Sequence, residues 1–121
     1  MSRKIIGDGE DNFLDGNRRD NYMDGRGGND TLKGGRGDDI NIGGNGDDVF
    51  VFNKGHDQDT IRDFTSGHDQ IDLNGFGLGS FEALSQLFEQ VGDNVVINFG
   101  RGDVLTIENI LIADLSGTDF F

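Results

Sequence analysis

GRGGNDTLK (25–33), GGRGDDINI (34–42) and GGNGDDVFV (43–51) are three consecutive copies of one nine-residue unit. Toward the N-terminus, GNRRDNYMD (16–24) and GDGEDNFLD (7–15) keep the same phase, giving five copies without a gap. Glycine opens every copy, at Gly7, Gly16, Gly25, Gly34 and Gly43. The sixth place is always Asp or Asn: Asn12, Asn21, Asp30, Asp39 and Asp48. The eighth is Leu14, Met23, Leu32, Asn41 and Phe50, apolar in four of the five. Repetition at a fixed short period marks a solenoid, in which each unit buries its apolar face against its neighbours.

Each third of the unit has a physical task. The glycines allow backbone turns with φ > 0 and close approach of carbonyls. The last three residues form a minimal strand whose middle side chain, the eighth, points inward. Turn, strand, turn, strand makes one coil of 18 residues, and coils stack at roughly the 4.8 Å spacing of paired strands. This predicts an all-β fold, a parallel β-roll, right-handed, with Asn12, Asp30 and Asp48 stacked on one edge and Asn21 and Asp39 on the other. Carboxylates so close repel unless a cation lies between them. A hard cation takes six to eight oxygens, which glycine-rich turns supply as carbonyls; calcium fits better than magnesium, and the imidazole and thiolate preferred by transition metals are missing from these turns.

Composition agrees. The chain of 121 residues carries 23 acidic and 10 basic side chains, a formal charge of −13, with 21 glycines and no proline, cysteine or tryptophan. With only 33% apolar residues, the interior is too thin to offset chain entropy unaided, and bound cations are the expected supplement. The charge argues against nucleic acid as a partner, and no apolar run is long enough to insert in a membrane. The start, MSRKII, does not read as a secretory signal peptide. No HExxH, GxSxG, CxxC or GxxxxGK occurs, and the abundant aspartates are committed to turns, so no catalytic activity is expected. His56 and His68, in an echoed GHDQ, read as turn residues.

The repeats resemble the RTX (repeats-in-toxin) nonapeptide GGxGxDxUx. GGNGDDVFV matches fully, GRGGNDTLK departs at its second place, and GGRGDDINI has Asn41 in the apolar slot. The resemblance implies calcium held between stacked turns, by carbonyls of the second and fourth places of one turn, carbonyls of the first and third places of the next coil, and both sixth-place aspartates. One ion is thereby expected among Arg26, Gly28, Asp30, Gly43, Asn45 and Asp48. Along the stack the same rule adds Gly25 and Gly27; Gly34 and Arg36; Gly35, Gly37 and Asp39; and Gly44 and Gly46. Asn12 and Asn21 replace Asp, and Glu10 and Arg19 replace the fourth glycine. Sites joining Asn12 to Asp30 and Asn21 to Asp39 are therefore expected to be weak or empty, and these repeats to act as an N-terminal cap. FNKGHDQDTIRDFTSGHDQIDL (52–73) resembles the end of such rolls. Asp57 continues the strict nine-residue frame, whereas Asp59 fits after a two-residue insertion that also gives Ile61 the buried slot; Asp59 is preferred. Asp63, Asp69 and Asp72 are expected ligands or neighbours of ligands. Three to five ions are expected. At tenfold saturation each adds about 1.4 kcal/mol, roughly 4–7 kcal/mol in all, comparable to a domain's whole stability of about 5–15.

Residues 1–6 are expected to be a lead-in, 7–73 the roll, and 74–121 a C-terminal cap continuous with it. Within the cap, SFEALSQLFEQV (80–91) reads as an amphipathic helix capped by Ser80 and ended by Gly92, and VVINF (95–99) with VLTIE (104–108) as a hairpin. Ile40 with Ile42, and Val49 with Val51, put apolar side chains outward, so the helix or hairpin is expected to cover at least one pair. Arg18, Arg36 and Lys54 recur once per coil. The preferred reading is neutralisation of nearby aspartates; the alternative is a stripe for a polyanionic sugar, as the repeat modules of alginate epimerases suggest. The resemblance further implies a monomeric module of a protein secreted from a Gram-negative bacterium through the type I secretion apparatus. Asp119-Phe120-Phe121 is similar to the C-terminal signals read by that apparatus. The chain is then either a calcium-folded secretion module, a polysaccharide-binding accessory module, or the C-terminal part of a secreted hydrolase or adhesin.

Overall fold

A computed structural model describes residues 3–16, 18, 20–53 and 55–121, without the side chain of Arg3. Arg19 and Lys54, which entered the reasoning above, lie outside the described residues. The strands are β1 (Arg3–Ile6), β2 (Phe13–Asp15), β3 (Asn21–Asp24), β4 (Thr31–Lys33), β5 (Ile40–Ile42), β6 (Val49–Val51), β7 (Gln58–Ile61) and β8 (Gln70–Asp72). A short helix, α1 (Phe81–Ser85), precedes β9 (Phe88–Val91), β10 (Asn94–Gly100) and β11 (Asp103–Ile107).

Successive strands alternate between two sheets, ordered β1-β3-β5-β7-β11-β10-β9 and β2-β4-β6-β8. The roll's own pairs are parallel and in repeat register: Leu14 beside Leu32, Leu32 beside Phe50, and Phe50 beside Ile71. This is the parallel β-roll that the nonapeptide phase predicts. The inward eighth places are buried, with Met23 at 0%, Leu32 at 1% and Phe50 at 2% exposure.

Beyond Val51 the coil lengthens. Asn41 registers with Ile61, a step of 20 residues, and Phe50 with Ile71, a step of 21. The roll also begins before the first nonapeptide: Arg3–Ile6 pairs parallel with β3, placing Ile5 beside Met23.

The C-terminal part extends one sheet edge-on. β11 pairs parallel with β7, and β10 and β9 follow antiparallel. The hairpin forms as read from its sequence, but the helix is shorter than 80–91. Ser80 does cap it, accepting from the Ala83 N–H at 3.1 Å, and Leu84 is buried. The chain then turns, and Phe88–Val91 becomes an edge strand folded back on Asn94–Ile97. Gly92, at φ 59, lies in that turn and does not end a helix. Phenylalanines fill this end: the Phe76 and Phe99 rings stack at 4.0 Å, and Phe81 and Phe88 both approach Phe120. The last residues join the other sheet, where Phe120 bridges to Ile71 and Phe121 exchanges backbone hydrogen bonds with Ile71 and Leu73.

The expected cover over the outward apolar pairs is not found. Ile40, Ile42, Val49 and Val51 are all half-buried, because the hairpin continues the sheet rather than lying across it. Over β5 the long side chain of Arg62 reaches from β7 toward the Tyr22 ring on β3, 5.9 Å from its centroid.

Candidate metal centre

The stacked turns are built by side chains bonding to backbone one coil away. Each sixth-place oxygen accepts from the N–H of the sixth residue one coil earlier. On one edge Asn12 N–H donates to Asp30 Oδ1 at 2.7 Å, Asp30 N–H to Asp48 at 2.8 Å, and Asp48 N–H to Asp69 at 2.9 Å. On the other edge Asn21 N–H donates to Asp39 and Asp39 N–H to Asp59, at 2.7 and 3.0 Å. The expected neighbours Asp30 and Asp48 are thus brought together, and Asp69 and Asp59 continue the two ladders.

A second ladder escaped the sequence reading. Fifth-place side chains accept from the fifth N–H of the following coil, in the opposite direction. Asp11 accepts from Asn29, Asn29 from Asp47, Asp20 from Asp38, and Asp38 from Gln58, at 2.7–3.0 Å. The signal was available, since Asp11, Asp20, Asn29, Asp38 and Asp47 occupy every fifth place. These groups are exposed and bonded; of the sixth-place groups, Asp30, Asp39 and Asp48 are buried and, among the described residues, only half bonded.

That half-bonding defines the site. Asp30, Asp39 and Asp48 are each 1% exposed, and among the described residues the Oδ2 of each is buried with no hydrogen-bond partner. A buried polar atom of this kind costs free energy unless something satisfies it. Burial also raises the carboxyl pKa values, with the surrounding aspartates adding to the shift: Asp39 and Asp48 to about 7 and Asp59 to about 9, with Asp30 and Asp69 raised as well. Backbone oxygens complete the lining. A methyl group built on Gly25 would collide with both Asp30 Oδ2 and the Gly43 carbonyl oxygen, and one on Gly44 with the carbonyl of Arg26. The Gly43 carbonyl oxygen therefore lies close to the orphaned Asp30 carboxylate, and the Arg26 carbonyl lies against the second place of the next coil. No three Asp, Glu or His side chains converge among the described residues, so a cation here would rest on carbonyls plus one or two carboxylates. That all-oxygen set fits a hard cation.

The other expected site residues fall as follows. The second and fourth places of the turns take positive φ: Arg26 and Gly28, Gly35 and Gly37, and Gly44 and Gly46. Gly55 and Asp57 continue this series with φ 83 and 65. Asp57 therefore occupies a fourth place, and its carboxylate accepts from Gly37 N–H at 3.1 Å, while Asp59 holds the sixth. Asp63 accepts from the N–H groups of Gly43 and Gly44 at 2.9 and 2.7 Å, putting it beside the turn that carries Asp48. Asp72 does not join a ladder; it lies on a strand opposite Val51 and accepts from Asn74 N–H. Gly27, Gly34, Arg36 and Asn45 stand in the stacked turns, with the Arg36 and Asn45 side chains exposed. The N-terminal repeat is closed on itself, since Asn12 Oδ1 accepts from Asp8 N–H at 3.0 Å. His56 is buried, accepts from Asn53 N–H through Nδ1, and has a pKa lowered chiefly by burial. It is a neutral structural group. His68 is exposed, 3.4 Å from Asp47. Arg18 and Arg36 are exposed. Arg62 pairs with Glu108 at 3.9 Å.

A parallel β-roll with oxygen-lined stacked turns defines an RTX module. Residues 5–121 match the family described as Peptidase M10 serralysin C terminal, and the chain belongs to that family. Its fold is similar to extracellular lipase LipA from Serratia marcescens, at TM-score 0.64 and 22% identity, over 97% of this chain and 20% of the lipase. It is also similar to the AlgE6R3 subunit of the Azotobacter vinelandii mannuronan C5-epimerase, at TM-score 0.65 and 25% identity, over 97% of this chain and 81% of that one. The AlgE6R2 subunit gives TM-score 0.65 and 23% identity, with 97% and 91% covered. The chain thus spans about a fifth of the lipase's length. No curated protein matches it.

Proposed function

We propose that this chain is a calcium-binding RTX module that folds on binding the ion outside the cell and supports type I secretion and stability of a secreted protein. The observation that carries this is the set of three buried carboxylate oxygens without partners, on Asp30, Asp39 and Asp48. Calcium bound between the turns would supply the positive charge and coordination that these oxygens lack. The chain's own residues do the rest. The Oδ1 bonds fix each carboxylate toward the gap, the glycines at the first and second places admit carbonyls to the same level, and the fifth-place ladder holds the coils in register. In low calcium the charged gaps oppose stacking and leave the chain threadable; at millimolar calcium, the range in which extracellular modules bind, the coils close. Asp30 with Asp48, Asp48 with Asp69, and Asp39 with Asp59 are the pairs expected to hold ions, with Asp63 beside the second. The module acts as a monomer and without catalysis of its own, as part of a longer secreted protein.

Calcium titration followed by calorimetry and far-UV circular dichroism tests this. A β-rich spectrum that is the same with and without chelator would overturn it. A second reading, a polysaccharide-binding accessory module, is supported by the similarity to the epimerase subunits. Retention on an alginate column through moderate salt would favour it.

A further inference from the structure

Asn41 is a polar residue in the roll's inward apolar columns. Its neighbours in register are Met23 and Ile61, at 0% and 1% exposure, and Asn41 itself is 5% exposed. Among the described residues, its Nδ2 reaches the Thr60 carbonyl alone, at 3.4 Å, and its Oδ1 is buried without a partner. Exchanging the amide's two ends would set an oxygen against the Thr60 carbonyl oxygen in place of the donor. The backbone of Asn41 pairs regularly without help from the amide, its carbonyl accepting from Arg62 N–H at 3.0 Å. Unlike the orphaned aspartate oxygens, it sits on a strand facing the apolar interior, away from the turns.

We propose that Asn41 is a built-in destabiliser that sets the calcium concentration at which the roll folds. This rests on the calcium-dependent folding proposed above. An unsatisfied amide raises the free energy of the folded chain with or without metal, whereas an apolar side chain of the same shape does not. Folding therefore requires more calcium than an all-apolar interior would. Removing the orphan should favour the metal-free fold by roughly 30-fold. Spread over three ions binding with folding, that lowers the calcium midpoint by the cube root, about threefold.

The test compares the full chain with Asn41→Leu and Asn41→Met, titrating calcium against the far-UV signal. The expected result is a calcium midpoint about threefold lower in both variants, with unchanged steepness. Two variants guard against overpacking by one of them. Unchanged or raised midpoints in both, failure of both to fold in calcium, or altered steepness overturns the proposal. The wild-type titration alone tests the underlying reading, because a wild type that folds without calcium removes the function and the threshold together.

Discussion

Asp48→Asn is the substitution whose consequences separate most sharply with and without metal. Asp48 sits between two gaps: its Oδ1 accepts from Asp30 N–H, its own N–H donates to Asp69, and its Oδ2 is buried without a partner. An asparagine keeps the carbonyl acceptor and removes the charge. Burial raises the Asp48 pKa from 3.8 to about 7, so ionising it at pH 8 costs at most about 4 kcal/mol, and about 2–4 after allowing for water at the turn edge. The metal-free fold should therefore be favoured in the variant, which should keep more β signal in chelator than wild type. In calcium the same change takes a carboxylate from two adjacent gaps. The calcium-induced gain should shrink by about 3 kcal/mol, two sites' worth at tenfold saturation. Far-UV spectra at pH 8, in chelator and in calcium, should thus differ less in the variant than in wild type. A β signal in chelator no higher than that of wild type, or a calcium increment that stays whole, would refute the reasoning.

The pH dependence of the metal-free protein should have an unusual sign. Raised pKa values at Asp39, Asp48 and Asp59 mean the folded chain holds more protons than the unfolded one, so stability falls as pH rises from about 4 through about 7, and on to about 9 for Asp59. Calcium binding requires the deprotonated carboxylates, so the β signal of calcium-stripped protein should drop between pH 5 and pH 8, while urea midpoints in calcium should rise. At the fifth place, Asp38→Asn should be silent, because Asn29 performs the same task in another coil, whereas Asp38→Ala should cost about 1 kcal/mol in stability without changing calcium stoichiometry by calorimetry. Asp119→Ala should cost about 1–3 kcal/mol in a chemical melt in calcium, since its carboxylate holds Ser66, Gly67 N–H and Ser116 N–H together.

The roll was legible because a period of nine links residue type to place: Leu32 beneath Phe50, and Asp30 beside Asp48, follow once the phase is known. The preference for Asp59 over Asp57 came from Ile61, and the structure adds the reason, that Asp57 repeats the positive-φ fourth place. The helix over 80–91 was overread because Phe81, Leu84, Phe88 and Val91 do fall at helical spacing. Pairing of Phe88–Val91 with Asn94–Ile97 across the Gly92 turn outweighs that local period. Arg3–Ile6 lacks the glycine signature and so was passed over, although Ile5 stands 18 residues before Met23, in phase. Asp119-Phe120-Phe121 was read only as an address; nothing in its local sequence shows that Phe120 meets Ile71, a contact made by the fold of the preceding 50 residues.

The distribution of charge along the ladders explains why ions belong in the middle of the stack. At the bottom the sixth places are amides, and Asn12 satisfies its oxygen on its own repeat through Asp8 N–H. No carboxylate there needs a partner. At the top of one edge Asp59 registers with Leu105, so the ladder ends against an apolar residue and the Asp59 carboxyl, at about 9, resists ionisation in the metal-free chain. At the top of the other edge, Asp69 Oδ2 is taken by Thr65 N–H at 2.9 Å. The unsatisfied oxygens are left on Asp30, Asp39 and Asp48, each with a coil above and a coil below. A phenylalanine-rich block then closes the C-terminal end by burial that requires no metal. The two halves therefore draw on different sources of stability, and only the half that lacks a sufficient apolar interior carries the unmet demand for a cation.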